Sequence, residues 1–163
     1  MKRDFLSIAD WSKEELFEIF ELTSELKEKT RKREPHPLLS GYSLAMIFAK
    51  PSARTRISFE TGIYQLGGMG IYLSPQDIGI GKREAIKDIA RVISRYNDLI
   101  MARLFDHAHI EELAEYSSVP VINGLTDYNH PCQIMADVYT ILEHRKSLEG
   151  LKIVYIGDGN NVA

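Results

Sequence analysis

The sequence has little of several features that mark specialised classes of protein. It contains a single cysteine, Cys132, so no disulfide can form within the chain. No segment approaches the roughly 18 uninterrupted apolar residues of a membrane span, and the first residues do not resemble a secretory signal. The net charge is −3 over 163 residues, which lacks the basic excess of a general nucleic-acid binder. We therefore expect a cytoplasmic protein that binds neither membranes nor nucleic acid.

What the sequence does contain is an alternation of short apolar runs and amphipathic stretches, which predicts alternating strands and helices. A capping-box pattern, Ser12 with Glu15, predicts the first helix start. The predicted strands are 42–49, 69–73, 98–104, 119–122 and 151–156, and the later helices are 53–66, 86–93, 110–116 and 131–145. This order predicts a three-layer α/β domain with a mainly parallel central sheet flanked by helices. A glycine-rich loop is expected at 74–82.

A domain boundary is predicted at Glu149 and Gly150, because a long helix precedes them and a new strand follows. We expect residues 1–149 to form one ligand-binding domain. Residues 150–163 would be the first strand and turn of another. Because a lone strand and turn cannot make a domain, the natural polypeptide is expected to be longer.

The most informative segment is 50–56, between a predicted strand and the start of a helix. Ligands of α/β sheets gather at the carboxyl ends of strands, and a helix N-terminus offers free backbone N–H groups. Ser52 and Thr55 add hydroxyl donors, and Arg54 can grip a phosphate through two hydrogen bonds. This pattern predicts an anion site. The alternative is an N-capping serine followed by solvated arginines.

Two further segments occupy similar positions. His130 and Gln133 lie three residues apart at a predicted helix start, where histidine can donate to a carbonyl oxygen and glutamine can accept from an amide. Arg103 ends the strand 98–104. The alternatives are a capping or packing role for the histidine and a surface ion pair for the arginine.

Together these segments resemble the aspartate/ornithine carbamoyltransferases. The resemblance rests on Ser-Ala-Arg-Thr-Arg at 52–56, on Arg103 and on His-Pro-Cys-Gln at 130–133, in that order. It runs through nearly the whole chain and includes 81–84, 88–92 and 123–125. It implies carbamoyl phosphate as a substrate, no cofactor and no metal. It also implies a homo-oligomer, a trimer or a multiple of one, formed through this domain.

The resemblance also implies a role for each matching residue. The phosphate would be held by Ser52, Arg54, Thr55 and the backbone N–H of Ala53. Arg103 would bridge the phosphate and the carbonyl oxygen, His130 would polarise that carbonyl, and Gln133 would bind the carbamoyl NH₂. The expected catalytic residues are Arg54, Arg103 and His130, and the carbamoyl-phosphate site would also include Pro131 and Cys132.

The last segment, 157–161, is similar to the ornithine branch of the family, as is 76–78. Asn161 would then contact ornithine. The implied reaction transfers the carbamoyl group to the δ-amine of L-ornithine and yields L-citrulline and phosphate. Two alternatives remain open: transfer to another amine, such as aspartate or a modified ornithine, or a non-catalytic fragment that binds carbamoyl phosphate.

The sequence departs from the family pattern at two positions. Ala53 stands where relatives usually have threonine, so one hydroxyl is absent and weaker phosphate binding is expected. Gly79 stands two residues before Gly81, where many relatives place a glutamine or histidine that reaches a neighbouring subunit. The family's remaining acceptor-binding parts would follow residue 163, and we expect turnover to need them.

Other interpretations rest on isolated features. Gly157 and Gly159 suggest a dinucleotide-binding turn, but Val162 stands where a third small residue is expected. Saturable NAD binding would favour that interpretation. His107 and His109 could hold a metal only with further ligands. For Cys132, a small buried side chain is favoured over a nucleophile.

Overall fold

Four strands form one sheet in which every neighbouring pair is parallel. The computed structural model describes residues 2–79 and 84–161. The strand order is β2-β1-β3-β4, and the strands are β1 (Ser43–Phe48), β2 (Met69–Leu73), β3 (Leu99–Arg103) and β4 (Val121–Leu125). The predicted α/β class with a mainly parallel sheet is confirmed.

Helices connect the strands, as parallel pairing requires. The described α-helices are α1 (Lys13–Lys32), α2 (Ala53–Gln65), α3 (Pro75–Ile78), α4 (Ile86–Tyr96), α5 (His107–Tyr116) and α6 (Pro131–Arg145). Of these, α2 to α5 lie between strands, whereas α1 precedes β1 and α6 follows β4. The predicted capping box is confirmed: the backbone N–H of Glu15 donates to Ser12 Oγ at 3.2 Å, and that of Ser12 donates to Glu15 Oε2 at 2.8 Å.

Apolar side chains leave the sheet on both faces, so both faces are covered. Ala45, Ile47, Ile100 and Ala102 face a cluster that includes buried residues of α4 and α5. Alternate strand residues face the other way, towards α2, and these are Leu44, Met46, Phe48 and Met101. Among residues 2–79 and 84–161, no helix is long and apolar enough to cross a membrane.

The structure departs from the predicted elements in several places. The predicted loop at 74–82 contains α3, which Ser74 caps and Gly79 ends at a φ of +58°. Residues 80–83, with Gly81 and its two basic neighbours, lie outside the described part of the chain. The last strand of the sheet begins at Val121 rather than at 119.

The apolar run 151–156 is not a strand in this structure. Ile153, Val154 and Ile156 are 75%, 78% and 92% exposed. A strand needs a partner for its backbone N–H and C=O groups, and no described strand pairs with this segment. The sequence pattern alone could not reveal the missing partner.

The carboxyl ends of three adjacent strands lie at one edge of the sheet. Phe48, the last residue of β1, pairs with Arg103, the last residue of β3. The pairing of β3 with β4 shifts there, so that Ala102 pairs with Asn123 but Arg103 pairs with Leu125. This irregularity places the segments that follow β1, β3 and β4 beside one another.

Candidate active site

The three segments singled out in the sequence meet at this carboxyl edge. The structure joins the first and second directly, because Nη1 of Arg103 donates to Thr55 Oγ1 at 3.2 Å. The third segment lies near the other two, because the positive charge of Arg103 lowers the pKa of His130. The edge therefore gathers residues that are far apart in sequence.

The start of α2 presents hydrogen-bond donors. Ser52 is the N-cap, and its Oγ accepts from the backbone N–H of Thr55 at 3.3 Å. The Ser52 hydroxyl donates to Thr55 Oγ1 at 3.1 Å, and Arg103 donates to the same oxygen. With both acceptor positions of that oxygen occupied, the Thr55 hydroxyl is left to donate its hydrogen. Ala53 opens the first turn, where backbone N–H groups lack intrahelical partners.

Arg54 and Arg103 place two positive charges together. Burial lowers the pKa of the Arg103 guanidinium, and the positive charge of Arg54 lowers it further. Arg103 nevertheless remains charged at neutral pH, because guanidinium pKa values lie so high. Arg103 Nε is buried without a hydrogen-bond partner, and no acid within the described ranges pairs with Arg54. Such an arrangement is completed by an anion.

His130 lies at the end of this cluster, and α6 begins directly after it with the buried Pro131. Burial lowers the pKa of the His130 imidazole, the charge of Arg103 lowers it further, and Asp137 opposes both. The ring is therefore mainly neutral at pH 7, and its Nδ1 is buried without a partner. Gln133 donates through Nε2 to Asp137 Oδ1 at 3.0 Å, which leaves its Oε1 to accept from a ligand.

Cys132 is held away from nucleophilic chemistry. Burial raises the pKa of its thiol to about 11, so the reactive thiolate is scarce near neutral pH. Its Sγ donates to the backbone oxygen of Asn123 at 3.3 Å. These observations support a buried structural side chain over a nucleophile.

Asn161 lies beside the end of β4, next to Thr126. Its Nδ2 donates to the backbone oxygen of Thr126 at 2.5 Å. A cavity of about 380 Å³ opens next to it, lined by Lys50, Asp127, Tyr128 and residues 159–161. Lys50 Nζ lies 3.5 Å from Asp127 Oδ1 across this cavity. The cavity thus carries groups of both charge signs.

The sequence interpretation missed a buried polar group beneath His130. Asn123 and Thr126 are fully buried, and Nδ2 of Asn123 donates to Asn129 Oδ1 at 2.6 Å. A signal was available: asparagine stands within a strand that is otherwise apolar, and a polar run follows it. Packing this polar group against the N-terminal segment is a long-range event that local patterns do not indicate.

Two other interpretations find no support in the structure. His107 Nδ1 lies 2.9 Å from Thr126 Oγ1, and within residues 2–79 and 84–161 no group of three or more metal-ligating acids, histidines or cysteines is assembled. Around Gly157 and Gly159, up to residue 161, there is neither a preceding strand nor a following helix. A dinucleotide-binding turn requires both.

Comparison with known proteins agrees with this geometry. The Thermococcus kodakarensis protein named ornithine carbamoyltransferase is 58% identical over 161 residues, which cover 99% of this chain and 51% of that protein. The chloroplastic ornithine carbamoyltransferase of Pisum sativum is 57% identical, with 98% of this chain and 43% of that protein covered. The chain thus spans about half the length of the curated relatives it matches.

Solved structures show the same similarity in three dimensions. The ornithine carbamoyltransferase of Pyrococcus furiosus superposes with a TM-score of 0.96 at 51% identity, covering 98% of this chain and 51% of that one. The catalytic subunit of M. Jannaschii aspartate transcarbamoylase superposes with a TM-score of 0.84 at 37% identity, covering 93% of this chain and 50% of that one. Residues 3–143 match the family described as "Aspartate/ornithine carbamoyltransferase, carbamoyl-P binding domain", and the chain therefore belongs to the aspartate/ornithine carbamoyltransferases.

Proposed function

We propose that this chain is the carbamoyl-phosphate-binding half of an ornithine carbamoyltransferase, which transfers the carbamoyl group to the δ-amine of L-ornithine and releases L-citrulline and phosphate. The observation that carries the proposal is the Arg103–Thr55 hydrogen bond, which joins the end of β3 to the N-terminus of α2. This bond brings hydrogen-bond donors and two positive charges together, and no acidic side chain of the described residues balances that charge. The relatives' names support the choice of reaction.

The phosphate binds at the start of α2. The Ala53 backbone N–H and the Thr55 hydroxyl donate to its oxygens, the Ser52 hydroxyl turns from Thr55 Oγ1 to donate to them as well, and the Arg54 guanidinium neutralises the charge of the phosphate. Arg103 bridges the phosphate and the carbonyl oxygen. The helix N-terminus adds a positive electrostatic potential. This arrangement explains how two arginines can lie together without a protein counter-ion.

The chemistry takes place at the carbonyl carbon. The neutral δ-amine attacks that carbon, an oxyanion forms, and Arg103 and His130 donate to it. When the C–O bond to phosphate breaks, the departing electron pair is stabilised by Arg54 and Arg103. The attacking nitrogen passes its extra proton to the departing phosphate. Because only the neutral amine can attack, the rate rises with pH while the ornithine ammonium group is being deprotonated. Gln133 holds the carbamoyl NH₂ through Oε1, and the buried Pro131 and the partly buried Cys132 shape the start of α6.

The acceptor binds on the side of Asn161. Residues 150–163 would begin the acceptor-binding domain, which is consistent with the exposed apolar side chains of Ile153, Val154 and Ile156. Ornithine is favoured because the most similar relatives carry that name. An aspartate acceptor is the alternative, because the family also includes an aspartate transcarbamoylase of similar structure. Activity with aspartate but not ornithine would decide for that alternative.

The functional assembly would be a homo-oligomer, a trimer or a multiple of one. Ile57 and Tyr64 are 63% and 79% exposed on the outer side of α2, and Met69 is exposed at the start of the edge strand β2. Such a group of exposed apolar side chains is typical of interaction surfaces. Gly79 offers no side chain to a neighbouring site, and it ends α3 in a left-handed conformation. Analytical ultracentrifugation of the chain tests this part of the proposal.

The experiment that tests the anion site is calorimetric titration with freshly dissolved carbamoyl phosphate. The parent chain is compared with Arg54→Ala and with a matched control, Arg56→Ala. Arg56 lies on the same helix, but its Nε is 3.0 Å from Glu60 and its guanidinium stacks on Tyr72. We expect the Arg54 variant to lose roughly ten-fold or more in affinity, since charged hydrogen bonds are lost. The Arg56 variant should stay close to the parent.

Equal losses in the two variants would contradict a specific phosphate site. If the folded parent does not bind carbamoyl phosphate, this half of the protein does not form the site by itself. Saturable binding without turnover would instead identify a non-catalytic carbamoyl-phosphate-binding fragment. Ala53→Thr should strengthen binding, because it restores the hydroxyl that family members usually have at an exposed position of the first helical turn.

A further inference from the structure

The ring of His130 has no hydrogen bond of its own within the described residues, and its Nδ1 is buried without a partner. Its direction is therefore fixed by the backbone on either side, which belongs to Asn129 and Pro131. The phosphate-binding residues do not explain what holds this backbone in place.

One residue of β4 is hydrogen-bonded to both flanks of His130. Asn123 is fully buried, and its Nδ2 donates to Asn129 Oδ1 at 2.6 Å, immediately before the histidine. The backbone oxygen of Asn123 accepts from Cys132 Sγ at 3.3 Å, two residues after the histidine. The thiol remains a donor, because burial raises its pKa to about 11.

Asn123 is itself held in place by hydrogen bonds to the N-terminal segment. The backbone N–H of Asn123 donates to Phe5 O at 2.9 Å, and its Nδ2 also donates to Leu6 O at 3.0 Å. Asn129 reaches the same Leu6 oxygen through Nδ2 at 3.2 Å. The N-terminal segment, β4 and the turn before α6 are thus joined at one buried amide.

Core stability alone explains this amide poorly. Asn123 Oδ1 is buried without a hydrogen-bond partner, which is a cost for folding. A leucine has nearly the same shape and would avoid that cost, but it could not donate to Asn129. The advantage of asparagine at this position is its directional hydrogen bond to Asn129.

We propose that Asn123 is a positioning residue that orients His130 towards the carbamoyl group. Its side-chain amide holds Asn129 before the histidine, while its backbone oxygen, which any residue at this position would supply, holds Cys132 after it. This inference rests on the proposed function, because it takes His130 to contact the substrate. Asn123 itself does not touch the substrate.

The first test measures the position of His130 directly, without substrate. The pKa of each of the five histidines is followed by NMR, and the His130 signal is assigned by its absence in His130→Gln. In Asn123→Leu the ring gains water and moves relative to Arg103 on β3 and Asp137 on α6. We expect its pKa to rise towards the ordinary histidine value, because burial and the charge of Arg103 now lower it. Asn129→Ala removes the same Asn123–Asn129 hydrogen bond from its other, partly exposed end and should show the same change.

Asn97→Leu is the matched control. Asn97 also has a buried, unpartnered Oδ1, and its Nδ2 donates to Ile93 O at 3.1 Å, but it ends α4 away from His130. This variant should lose stability without changing the pKa of His130. An unchanged His130 pKa in both Asn123→Leu and Asn129→Ala would overturn the proposal, as would the same change in Asn97→Leu.

The second test separates positioning from general damage to the site. Asn123→Leu should weaken carbamoyl phosphate binding roughly ten-fold, about one hydrogen bond's worth, and leave inorganic phosphate binding unchanged. In the double variant with His130→Gln the two losses should not add, because both act through one side chain. Additive losses, or equal losses for both probes, would contradict the proposal. If the parent binds neither probe, this half of the protein does not form the anion site by itself, and the NMR result still decides whether Asn123 positions His130.

Discussion

The two edges of the parallel sheet use their ionisable side chains in opposite ways. At the amino edge, acids accept hydrogen bonds from the backbone at the start of strands. Asp98 Oδ2 accepts from the backbone N–H of Ser43 at 2.8 Å and from its hydroxyl at 3.1 Å. Asp4 Oδ1 accepts from the backbone N–H of Val121 at 2.8 Å.

At the carboxyl edge, the ionisable groups are incompletely satisfied. Arg103 has a buried Nε and His130 has a buried Nδ1, and neither atom has a partner. Burial and like charge lower the pKa of both side chains, so their charged forms are disfavoured there. The amino edge therefore stabilises the fold, whereas the unpartnered groups of the carboxyl edge lower the stability and are available to a ligand.

Arg103→Ala should have the largest effect and should separate binding from stability. We expect the affinity for carbamoyl phosphate to fall by roughly 100-fold, because two or more charged hydrogen bonds are lost. The free energy of unfolding should change by less than about 0.5 kcal/mol, because a partly buried cation that lacks hydrogen-bond partners is removed along with its contacts. Calorimetry and urea denaturation measure the two quantities on the same samples.

Arg91→Ala provides the control for this prediction. Arg91 pairs with Asp88 at 3.2 Å and lies over Tyr116 on the outer surface of α4. Its removal also deletes one positive charge, so equal affinity losses in the two variants would show that net charge, rather than position, governs binding. A loss of several kcal/mol in the stability of Arg103→Ala would contradict the contrast between the edges.

Asp98→Ala should produce the opposite result. The variant leaves two donors of Ser43 without their acceptor, so the free energy of unfolding should fall by about 1–2 kcal/mol. Binding of carbamoyl phosphate should not change, because Asp98 lies at the other edge of the sheet. Asp98→Asn retains an acceptor oxygen and should lose less stability. If Asp98→Ala weakened binding as strongly as it lowered stability, the two edges would not be independent.

Local signals predicted the scaffold well because they arise within a few residues. The pair Ser12 and Glu15 indicated the start of α1, and Pro131 indicated the start of α6. The start of α5 was predicted too late, because Asp106 caps this helix and the apolar pattern begins only at Ile110. A cap that precedes the first apolar residue is easily overlooked.

The parts that could not be predicted depend on distant partners. The Arg103–Thr55 bond joins residues 48 positions apart, and the Asn123–Leu6 bond joins residues 117 positions apart. The segment 151–156 has the composition of a buried strand, but composition does not show whether a pairing edge exists. The sequence therefore indicated which residues could bind a ligand, whereas the hydrogen bonds that hold these residues together could be found only from the fold.

The smallest expected effect concerns the pH dependence of stability. Because the folded protein lowers the pKa of His130, it favours the neutral ring. Above an ordinary histidine pKa of 6.5 both states are neutral and the contribution is constant. As the pH falls below that value, the unfolded chain binds a proton that the folded protein does not, so stability declines until the pH reaches the lowered folded pKa.

Urea denaturation at about pH 7.5 and about pH 5.5 measures this decline, and His130→Gln should show a smaller one. Surface carboxylates whose pKa is lowered, such as Glu15 and Glu143, titrate below 4.5 and do not contribute in this range. Saturating phosphate should reduce the decline of the parent, because a bound anion favours the charged imidazole and raises its pKa. If the stability of the parent declined equally with and without phosphate, His130 would lie too far from the bound anion to be affected by its charge. His130 would then no longer belong to the ligand-binding groups that distinguish the carboxyl edge from the amino edge.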